Sequence, residues 1–174
     1  MAMNPNTQPG RPTTRHTISA LVENRPGVLA RIAGLFSRRG FNIESLTVSE
    51  TQDPGLSRMT IVVSADDIVI EQVEKQLNKL IDVVKVSDIT TKQTVDRELV
   101  FIKVKADAGT RGEIMQIASI FRAQIIDLSE NSLIIEMTGD ADKTSAFIDL
   151  MRRFGIIEVL RTGKVSLIRG PQAT

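Results

Sequence analysis

The stretch Glu23-Asn24-Arg25-Pro26-Gly27-Val28-Leu29 joins two segments of different hydrophobic periodicity, and it decides how the first half of the chain folds. Residues 17–22 before it alternate in polarity like a strand, whereas the apolar residues of 28–36 after it recur at helical spacing. Pro26 suits the first turn of a helix, where its missing N–H costs nothing, and Gly27 permits close approach to the main chain. The stretch is therefore predicted to be a strand-to-helix turn, and we call residues 24–27 the corner.

The chemistry of the corner is compatible with ligand binding. Unpaired N–H groups at the start of a helix carry a partial positive charge, so a small carboxylate could bind there while Asn24 holds an ammonium or amide group. The Asn-Arg-Pro-Gly sequence is also ordinary turn chemistry, and most such turns bind nothing. The residues of the corner alone leave both interpretations open.

Composition restricts the class of protein. The chain has 174 residues, a net charge of +1 and 41% hydrophobic residues, which is typical of a globular protein of one or two domains. Because it has no cysteine, a disulfide scaffold, cysteine zinc motifs and thiol catalysis are excluded, and a reducing cytoplasm is compatible. No segment has the apolar length of a membrane span, and no export signal marks the N-terminus. We expect a cytoplasmic protein without a membrane partner.

The chain is predicted to divide into four parts. Residues 1–14, rich in Asn, Pro, Thr and Gly, should form a disordered N-terminal arm. A first domain over residues 15–91 and a second over residues 97–170 are joined by a linker at residues 92–96. The single histidine, His16, is interpreted as a strand-edge residue.

Both domains are predicted to have the order βαββαβ. In the first, Arg39, Gly40 and Phe41 should end the first helix, since cations suit its negative end and glycine accepts left-handed backbone angles. The predicted strands of this domain are residues 17–22, 42–51, 57–64 and 83–90. The second domain has predicted strands at 98–105, on either side of 129–132, and at 156–167 with a bulge at Gly163. Its last helix, residues 140–153, should direct Ala146, Phe147, Leu150 and Met151 inward.

The two domains are related as an internal repeat. Aligning residues 32–36 with residues 117–121 superimposes the two strand-to-helix turns, which indicates a diverged duplication. The corner, however, is matched by residues 109–112, Gly-Thr-Arg-Gly, which lack the amide and the proline. No second ligand site of this type is predicted in the C-terminal domain.

The small size of each unit indicates self-association. A unit of about 70 to 75 residues buries only about 60% of its unfolded surface, so its stability is marginal. Pairing two sheets edge to edge would cover an exposed strand and bury more apolar area. A homodimer is therefore expected.

Three classes of function compete for such a fold. An RNA-binding sheet needs aromatic residues, and with no Trp or Tyr only Phe101 is available, so no nucleic-acid partner is expected. In an acylphosphatase-like enzyme Arg25 would grip a phosphate and Asn42 would orient water, although Pro26 removes one donor. An amino-acid sensor needs a zwitterion site and an apolar pocket, which the corner can supply. The last class is favoured, and no catalytic residue is predicted.

Residues 23–48, ENRPGVLARIAGLFSRRGFNIESLTV, closely resemble the N-terminal ACT domain of the regulatory subunit of acetohydroxyacid synthase, also called acetolactate synthase. The resemblance continues through residues 56–61, 74–80, Ser129 and 161–163, and so covers nearly the whole chain after residue 14. It implies an α+β fold of two tandem ferredoxin-like βαββαβ units, of which the first is an ACT domain that pairs with a second copy.

The resemblance also implies a function. In this family a non-catalytic small subunit binds valine, or a related branched-chain amino acid, at the ACT dimer interface. It activates a catalytic large subunit and confers feedback inhibition in branched-chain amino acid biosynthesis. Thiamine diphosphate, magnesium and FAD are then expected on the large subunit, and no cofactor or metal on this chain. A free-standing ACT sensor of another enzyme is the alternative.

The ligand site is carried over residue by residue. Asn24 and Gly27 match the ligand-loop positions of the family, and Asn42 matches the position contributed across the dimer. The predicted apolar walls of the pocket are Leu21, Val28, Leu29 and Ile43.

Overall fold

The computed structural model describes residues 13–172. The predicted N-terminal arm therefore lies mostly outside the described residues, except that Thr14 is already the first residue of a strand. Contacts divide the chain into a first unit, residues 13–95 together with 166–172, and a second unit, residues 96–165. No helix of the described part is long and apolar enough to cross a membrane.

The first unit is a four-stranded antiparallel sheet with two helices. Its elements are β1 (Thr14–Glu23), α1 (Val28–Arg38), β2 (Ile43–Glu50), β3 (Leu56–Ala65), α2 (Asp67–Leu77) and β4 (Val83–Asp88). The strand order is β2-β3-β1-β4, so β1 and β3 are central while β2 and β4 are the edges. The predicted order βαββαβ is confirmed.

Alternation along the central strands separates the two faces of this sheet. Ile18, Ala20 and Val22 of β1 point into the core, where they pack with Ile32 and Phe36 of α1. Leu21 has the opposite parity and pairs in register with Arg58 of β3, so it lies on the face turned away from the helices. The helices thus cover one face only.

The ends of the helices follow the predicted chemistry. Gly40 has φ 71°, and Phe41 N donates to Phe36 O at 3.0 Å, which closes the C-terminus of α1 with a left-handed glycine. At the start of α2, the Asp66 carboxylate accepts a hydrogen bond from Ile68 N at 2.9 Å. Local sequence therefore determines where α1 ends and where α2 begins.

The interpretation of His16 as an edge residue is wrong. β1 lies between β3 and β4, and the His16 side chain is buried. Its Nδ1 lies 2.9 Å from Asp88 Oδ2, and its Nε2 lies 3.1 Å from Asp67 Oδ1. The ring connects β1 with β4 and with the first turn of α2, which explains why a polar side chain is tolerated there.

The second unit repeats the architecture. Its elements are β5 (Thr94–Lys105), α3 (Arg111–Phe121), β6 (Gln124–Leu128), β7 (Ser132–Gly139), α4 (Ala141–Met151), a 3₁₀ turn (Arg152–Phe154) and β8 (Ile156–Arg161). The last strand, β9 (Val165–Ile168), follows, and its residues from Ser166 onward are grouped with the first unit by their contacts. The sheet order is β6-β7-β5-β8, and β9 also pairs with β5. Together with the first unit, this confirms the predicted α+β fold of two ferredoxin-like units.

Two local predictions in this half are corrected. β5 begins at Thr94, so residues 94–96 of the predicted linker are strand. The single strand predicted over residues 156–167 is divided into β8 and β9, because Gly163 has φ 88° and interrupts the extended backbone. Thr162 N donates to Leu99 O at 3.0 Å just before this break.

The inward face of α4 also differs from the prediction. Phe147 and Met151 are fully buried as predicted, but Ala146 is exposed and Leu150 is 41% exposed. Thr144 and Ile148 take the remaining inward positions, since residues at i, i+3, i+4 and i+7 share one face of a helix. Thr144 is satisfied there because its hydroxyl donates to Ala141 O at 3.0 Å.

A nearly buried ion pair lies beside α4. Arg161 donates to both oxygens of Glu98, Nε to Oε1 at 2.8 Å and Nη2 to Oε2 at 2.6 Å. The Glu98 side chain is only 9% exposed. Burial raises the pKa of Glu98, but the bonds from Arg161 and Thr144 outweigh it and hold the pKa below its ordinary value.

The corrected face of α4 can be tested by a pair of substitutions. Phe147→Ala is expected to cost about 3–5 kcal/mol of unfolding free energy, because it removes a fully buried ring. Leu150→Ala on the same helix should cost about 0.5 kcal/mol, as expected for a surface position. Urea unfolding of the full chain, followed by circular dichroism, would measure both. Equal losses would contradict the described orientation of α4.

Candidate functional site

The corner has a different backbone from the one predicted. α1 begins at Val28, and Gly27 precedes it with φ 88°. Pro26 therefore lies before the helix and outside its first turn, because a left-handed residue separates it from the first helical position. Arg31 N donates to Gly27 O at 3.0 Å, which closes the first turn. A Cβ at residue 27 would meet nothing within 4 Å, but every non-glycine residue would be strained by the positive φ.

The start of α1 differs from the starts of the other helices. Within residues 13–172, the first turn of α1 has no acidic residue and no side chain that caps its N–H groups. By contrast, α2 and α4 are capped by aspartates, and α3 has an acidic residue in its first turn. Free N–H groups and an uncompensated helix dipole attract an anion. The electrostatics of the predicted carboxylate site are thus present.

Asn24 connects the corner to the turn between β2 and β3. Its Nδ2 donates to Pro54 O at 3.0 Å and to Glu50 Oε2 at 3.2 Å, and its main-chain N donates to Gly55 O at 2.8 Å. Among the described residues, no hydrogen bond to Asn24 Oδ1 is found. The side chain is therefore fixed by its donors, while its oxygen can accept a hydrogen bond from a ligand.

A buried carboxylate that sequence reasoning missed holds the other side of the corner. Asp82 Oδ1 accepts from Arg25 Nε at 3.1 Å and from Arg25 Nη2 at 2.6 Å. Its second oxygen accepts from Arg31 of α1, and its main-chain O accepts from Glu23 N at 2.8 Å. The Asp82 side chain is only 3% exposed. The sequence signals this role only in that Asp82 is a charged residue inside the otherwise apolar run of residues 80–84.

The same contacts engage the guanidinium of Arg25. Its hydrogen bond to Asp82 and the charge of Glu23, whose Oε2 is 2.6 Å from Nη2, raise the pKa of Arg25 above its ordinary value. The guanidinium of Arg25 is thus already bound by two carboxylates of its own chain. This disfavours the alternative in which Arg25 grips a phosphate.

An open depression of about 300 Å³ lies beside the corner. It is lined by Glu23, Asn24, Arg25, Asp53, Gly55 and Leu56. Four of these residues have polar or charged side chains, and Asn24 is the one predicted site residue among them. The depression can receive the polar end of a small molecule, but it does not provide a closed apolar pocket.

The predicted apolar walls do not meet at one place. Val28 is buried in the core between α1 and the sheet, Leu29 is 44% exposed on α1, and Ile43 is half-buried at the start of β2. Leu21 lies on the opposite face of the sheet from Val28. One chain therefore does not enclose a pocket with these four residues.

Asn42 lies far from the corner within one chain. At one end of the sheet Glu50 pairs with Ser57 and Glu23 pairs with Leu56, whereas Ile43, next to Asn42, pairs with Val63 at the other end. The eight residues of β2 separate these ends by more than about 20 Å at the rise of a strand. A site that uses both asparagines must be formed by two chains.

The matching turn of the second unit is filled by its own carboxylate. Asp107 Oδ1 accepts from Gly109 N at 2.9 Å, from Thr110 N at 2.8 Å and from the Thr110 hydroxyl at 2.8 Å. The bonds from Thr110 are the main reason that the pKa of Asp107 lies below its ordinary value. The N–H groups of Gly109 and Thr110 are therefore already used, and Glu113 in the first turn of α3 places a negative charge where an external carboxylate would bind.

The described residues contain no group of three or more His, Cys, Asp or Glu side chains arranged to hold a metal ion. The carboxylates near the corner accept hydrogen bonds from arginines, from the Asn24 amide or from main-chain N–H groups instead. The arrangement is suited to binding a small polar molecule through the corner.

Comparisons with known proteins identify both units. A family model described as "AHAS small subunit-like ACT domain" matches residues 18–85, and one described as "Small subunit of acetolactate synthase" matches residues 97–170. The chain is 64% identical over 156 residues to a probable acetolactate synthase small subunit of Archaeoglobus fulgidus, covering 90% of this chain and 98% of the relative. It is 54% identical over 157 residues to an acetolactate synthase small subunit of Mycobacterium bovis, covering 90% and 94%.

Structural comparison agrees with these matches. The crystal structure of the acetolactate synthase small subunit of Thermotoga maritima matches with a TM-score of 0.84 and 46% sequence identity, covering 91% of this chain and 99% of that one. The resemblance found in residues 23–48 is thereby confirmed and extends over both units. The chain belongs to the family of acetolactate synthase small subunits, and its first unit is an ACT domain of that family.

Proposed function

We propose that this chain is the regulatory subunit of an acetohydroxyacid synthase, and that it binds valine or a related branched-chain amino acid at the seam of an ACT dimer. The observation that carries the proposal is the uncapped first turn of α1 beside the fixed amide of Asn24, in a chain that matches small subunits over both units. This first turn supplies the donors for a carboxylate, and Asn24 supplies an acceptor for an ammonium group.

The edge position of β2 supports a dimer seam at this site. An unpaired edge strand is covered when a second copy pairs with it, and a two-fold axis makes the two β2 strands antiparallel. The start of one β2 then lies beside the end of the other. This pairing brings Asn42 of one copy toward the corner of its neighbour, which resolves the separation of the two asparagines within one chain.

The contacts available at such a seam match the affinity of a metabolite sensor. Hydrogen bonds to the charged groups of an amino acid contribute about 1.5–3 kcal/mol each, and burial of an isopropyl group contributes about 1.5–3 kcal/mol. After ordering costs, a net free energy of about −5.5 kcal/mol corresponds to a dissociation constant on the order of 0.1 mM. Leu29, exposed in one chain, is the apolar surface closest in sequence to the corner.

The second unit has a different part in the proposal. Because Asp107 already accepts the N–H groups of its strand-to-helix turn, the unit adds no second valine site of this type. It serves assembly with, or activation of, a catalytic large subunit. Thiamine diphosphate, magnesium, FAD and the condensation of 2-keto acids belong to that large subunit, and valine binding to the small subunit inhibits the complex.

The first test places a carboxylate at the start of α1 without backbone strain. Gly27 is unsuitable because of its positive φ, but Leu29 is the second helical residue. Leu29→Asp is expected to weaken valine binding about tenfold or more, because its charge competes for the N–H groups that the ligand carboxylate would use. Calorimetry of the full chain with valine would measure the change.

Two variants control this test. Leu29→Asn has nearly the same shape without the charge, and it should weaken binding less than Leu29→Asp. Ile68→Asp places the same carboxylate at the second residue of α2, where the side chain is similarly exposed, and it should leave binding unchanged. Unaltered affinity in Leu29→Asp would show that the ligand carboxylate does not bind at α1.

The second test asks whether two chains share each site. Asn24→Ala and Asn42→Ala should each abolish binding when they are alone. In a mixture that exchanges subunits, each heterodimer has one intact site, so about a quarter of the wild-type capacity should return at equal concentrations. Calorimetry before and after mixing would measure the capacity, and sedimentation would verify the dimer. No recovery from a mixture that has exchanged subunits would contradict a site shared between chains.

A further inference from the structure

We propose that Asp82 is a positioning residue for the ligand site: its buried carboxylate joins Arg25 and Arg31 and so fixes the distance between the end of β1 and the first turn of α1. The part of this inference that concerns valine rests on the proposed function. We call Asp82, Arg25 and Arg31 the corner clasp.

The clasp connects the corner to the strand before it and to the helix after it. One carboxylate oxygen of Asp82 binds Arg25 in the loop, and the other binds Arg31 in the first turn of α1. The main-chain oxygen of the same residue accepts from Glu23 N, at the end of β1, at 2.8 Å. A single residue at the entrance to β4 therefore bonds the strand, the loop and the helix.

The two arginines flank the left-handed glycine of the corner. Arg25 lies two residues before Gly27 and Arg31 four residues after it, so the clasp spans the residue with positive φ. Arginine binds carboxylates through a planar fork, which fixes direction as well as distance. When Asp82 joins both guanidiniums, the N–H groups at the start of α1 are held in a fixed direction relative to Asn24.

A purely structural ion pair would have a different arrangement. Glu98 is comparably buried, but it binds one guanidinium, that of Arg161, together with the Thr144 hydroxyl. Asp82 instead takes one arginine from the loop and one from the helix, and both arginine side chains remain about half exposed beside the corner. The second cation ties the helix to the loop through the same carboxylate. From this difference we infer that the clasp belongs to the proposed ligand site.

The opposite side of the corner is fixed independently. Asn24 is bound to the β2–β3 turn through Pro54 and Gly55, whereas the clasp binds the α2–β4 connection. Loss of the clasp therefore frees one side and leaves Asn24 anchored. The expected consequence is a corner that stays folded but presents its two ligand contacts at a variable separation.

The experiment compares Asp82→Asn with Glu98→Gln in the ¹⁵N-labelled full chain. Asparagine keeps the shape of residue 82 but loses the charge that both arginines need, so valine binding should weaken about tenfold or more. Without valine, the main-chain amides of residues 24–31, except that of Pro26, which has no N–H, should shift in the NMR spectrum and exchange with solvent faster. Glu98→Gln removes a comparable buried charge from the second unit and should change neither quantity.

Two variants of Arg31 make the result independent of how well Asp82→Asn folds. Arg31→Lys keeps the charge and should retain part of the valine affinity, whereas Arg31→Gln should lose as much as Asp82→Asn. If the clasp had only a structural role, the variants would change thermal stability and leave valine affinity unaltered. Wild-type affinity and unaltered exchange of residues 24–31 in Arg31→Gln would overturn the proposal.

The readouts separate failure of this inference from failure of the proposed function. If the wild-type chain binds no valine at millimolar concentration, the proposed function is wrong, while faster exchange of residues 24–31 in the variants still supports the clasp. If the wild-type chain binds valine and the clasp variants bind it equally well, the clasp is wrong and the proposed function stands.

Discussion

The antiparallel register between β1 and β3 is the constraint on which the first unit depends. The pairing runs without a shift from Thr14 opposite Ala65 to Glu23 opposite Leu56. Because β1 ends exactly where β3 begins, the corner emerges next to the β2–β3 turn, and Asn24 can bond to it. A slip of one residue would exchange the two faces of β1 and bury its polar residues in the core. The same register that builds the core therefore places the corner.

The duplicated fold keeps this connection but changes the residues that make it. In the first unit the amide of Asn24 donates to Pro54 O, and in the second unit Arg111 Nη2 donates to Ser129 O at 2.9 Å and to Glu130 O at 2.7 Å. The mechanical link between turn and hairpin is thus common to both units. What differs is the loop before the helix and the charge at its start: Asp107 accepts two main-chain N–H groups of the loop in the second unit, where Glu113 also lies in the first turn of α3, whereas α1 has no acidic residue there. In the proposed function, this difference restricts ligand binding to the first unit.

The sequence predicted elements whose signals are local. Periodicity and glycine at the helix end were enough to find the βαββαβ order and the stop at Gly40. The corner was harder because proline is allowed both in a first helical turn and just before it, and only the backbone angle of Gly27 decides. Asp82 was missed because its partner Arg25 is 57 residues away, and no local pattern encodes such a pair. His16 was misjudged for a related reason, since strand order is a tertiary property.

The separation of Asn24 and Asn42 has a thermodynamic consequence in the proposed site. If each ligand contacts both asparagines, only the dimer can bind it, so ligand binding must favour the dimer by mass action. Thermodynamic linkage makes this effect reciprocal. If the ligand changes the affinity of the dimer for a partner by some factor, the partner changes the affinity of the dimer for the ligand by the same factor. A large subunit bound to the dimer would therefore sense the ligand without touching it, provided that its contacts depend on the position of α1. Since α1 is bonded to the corner through Arg31 and Asp82, its first turn is the element through which such coupling would act.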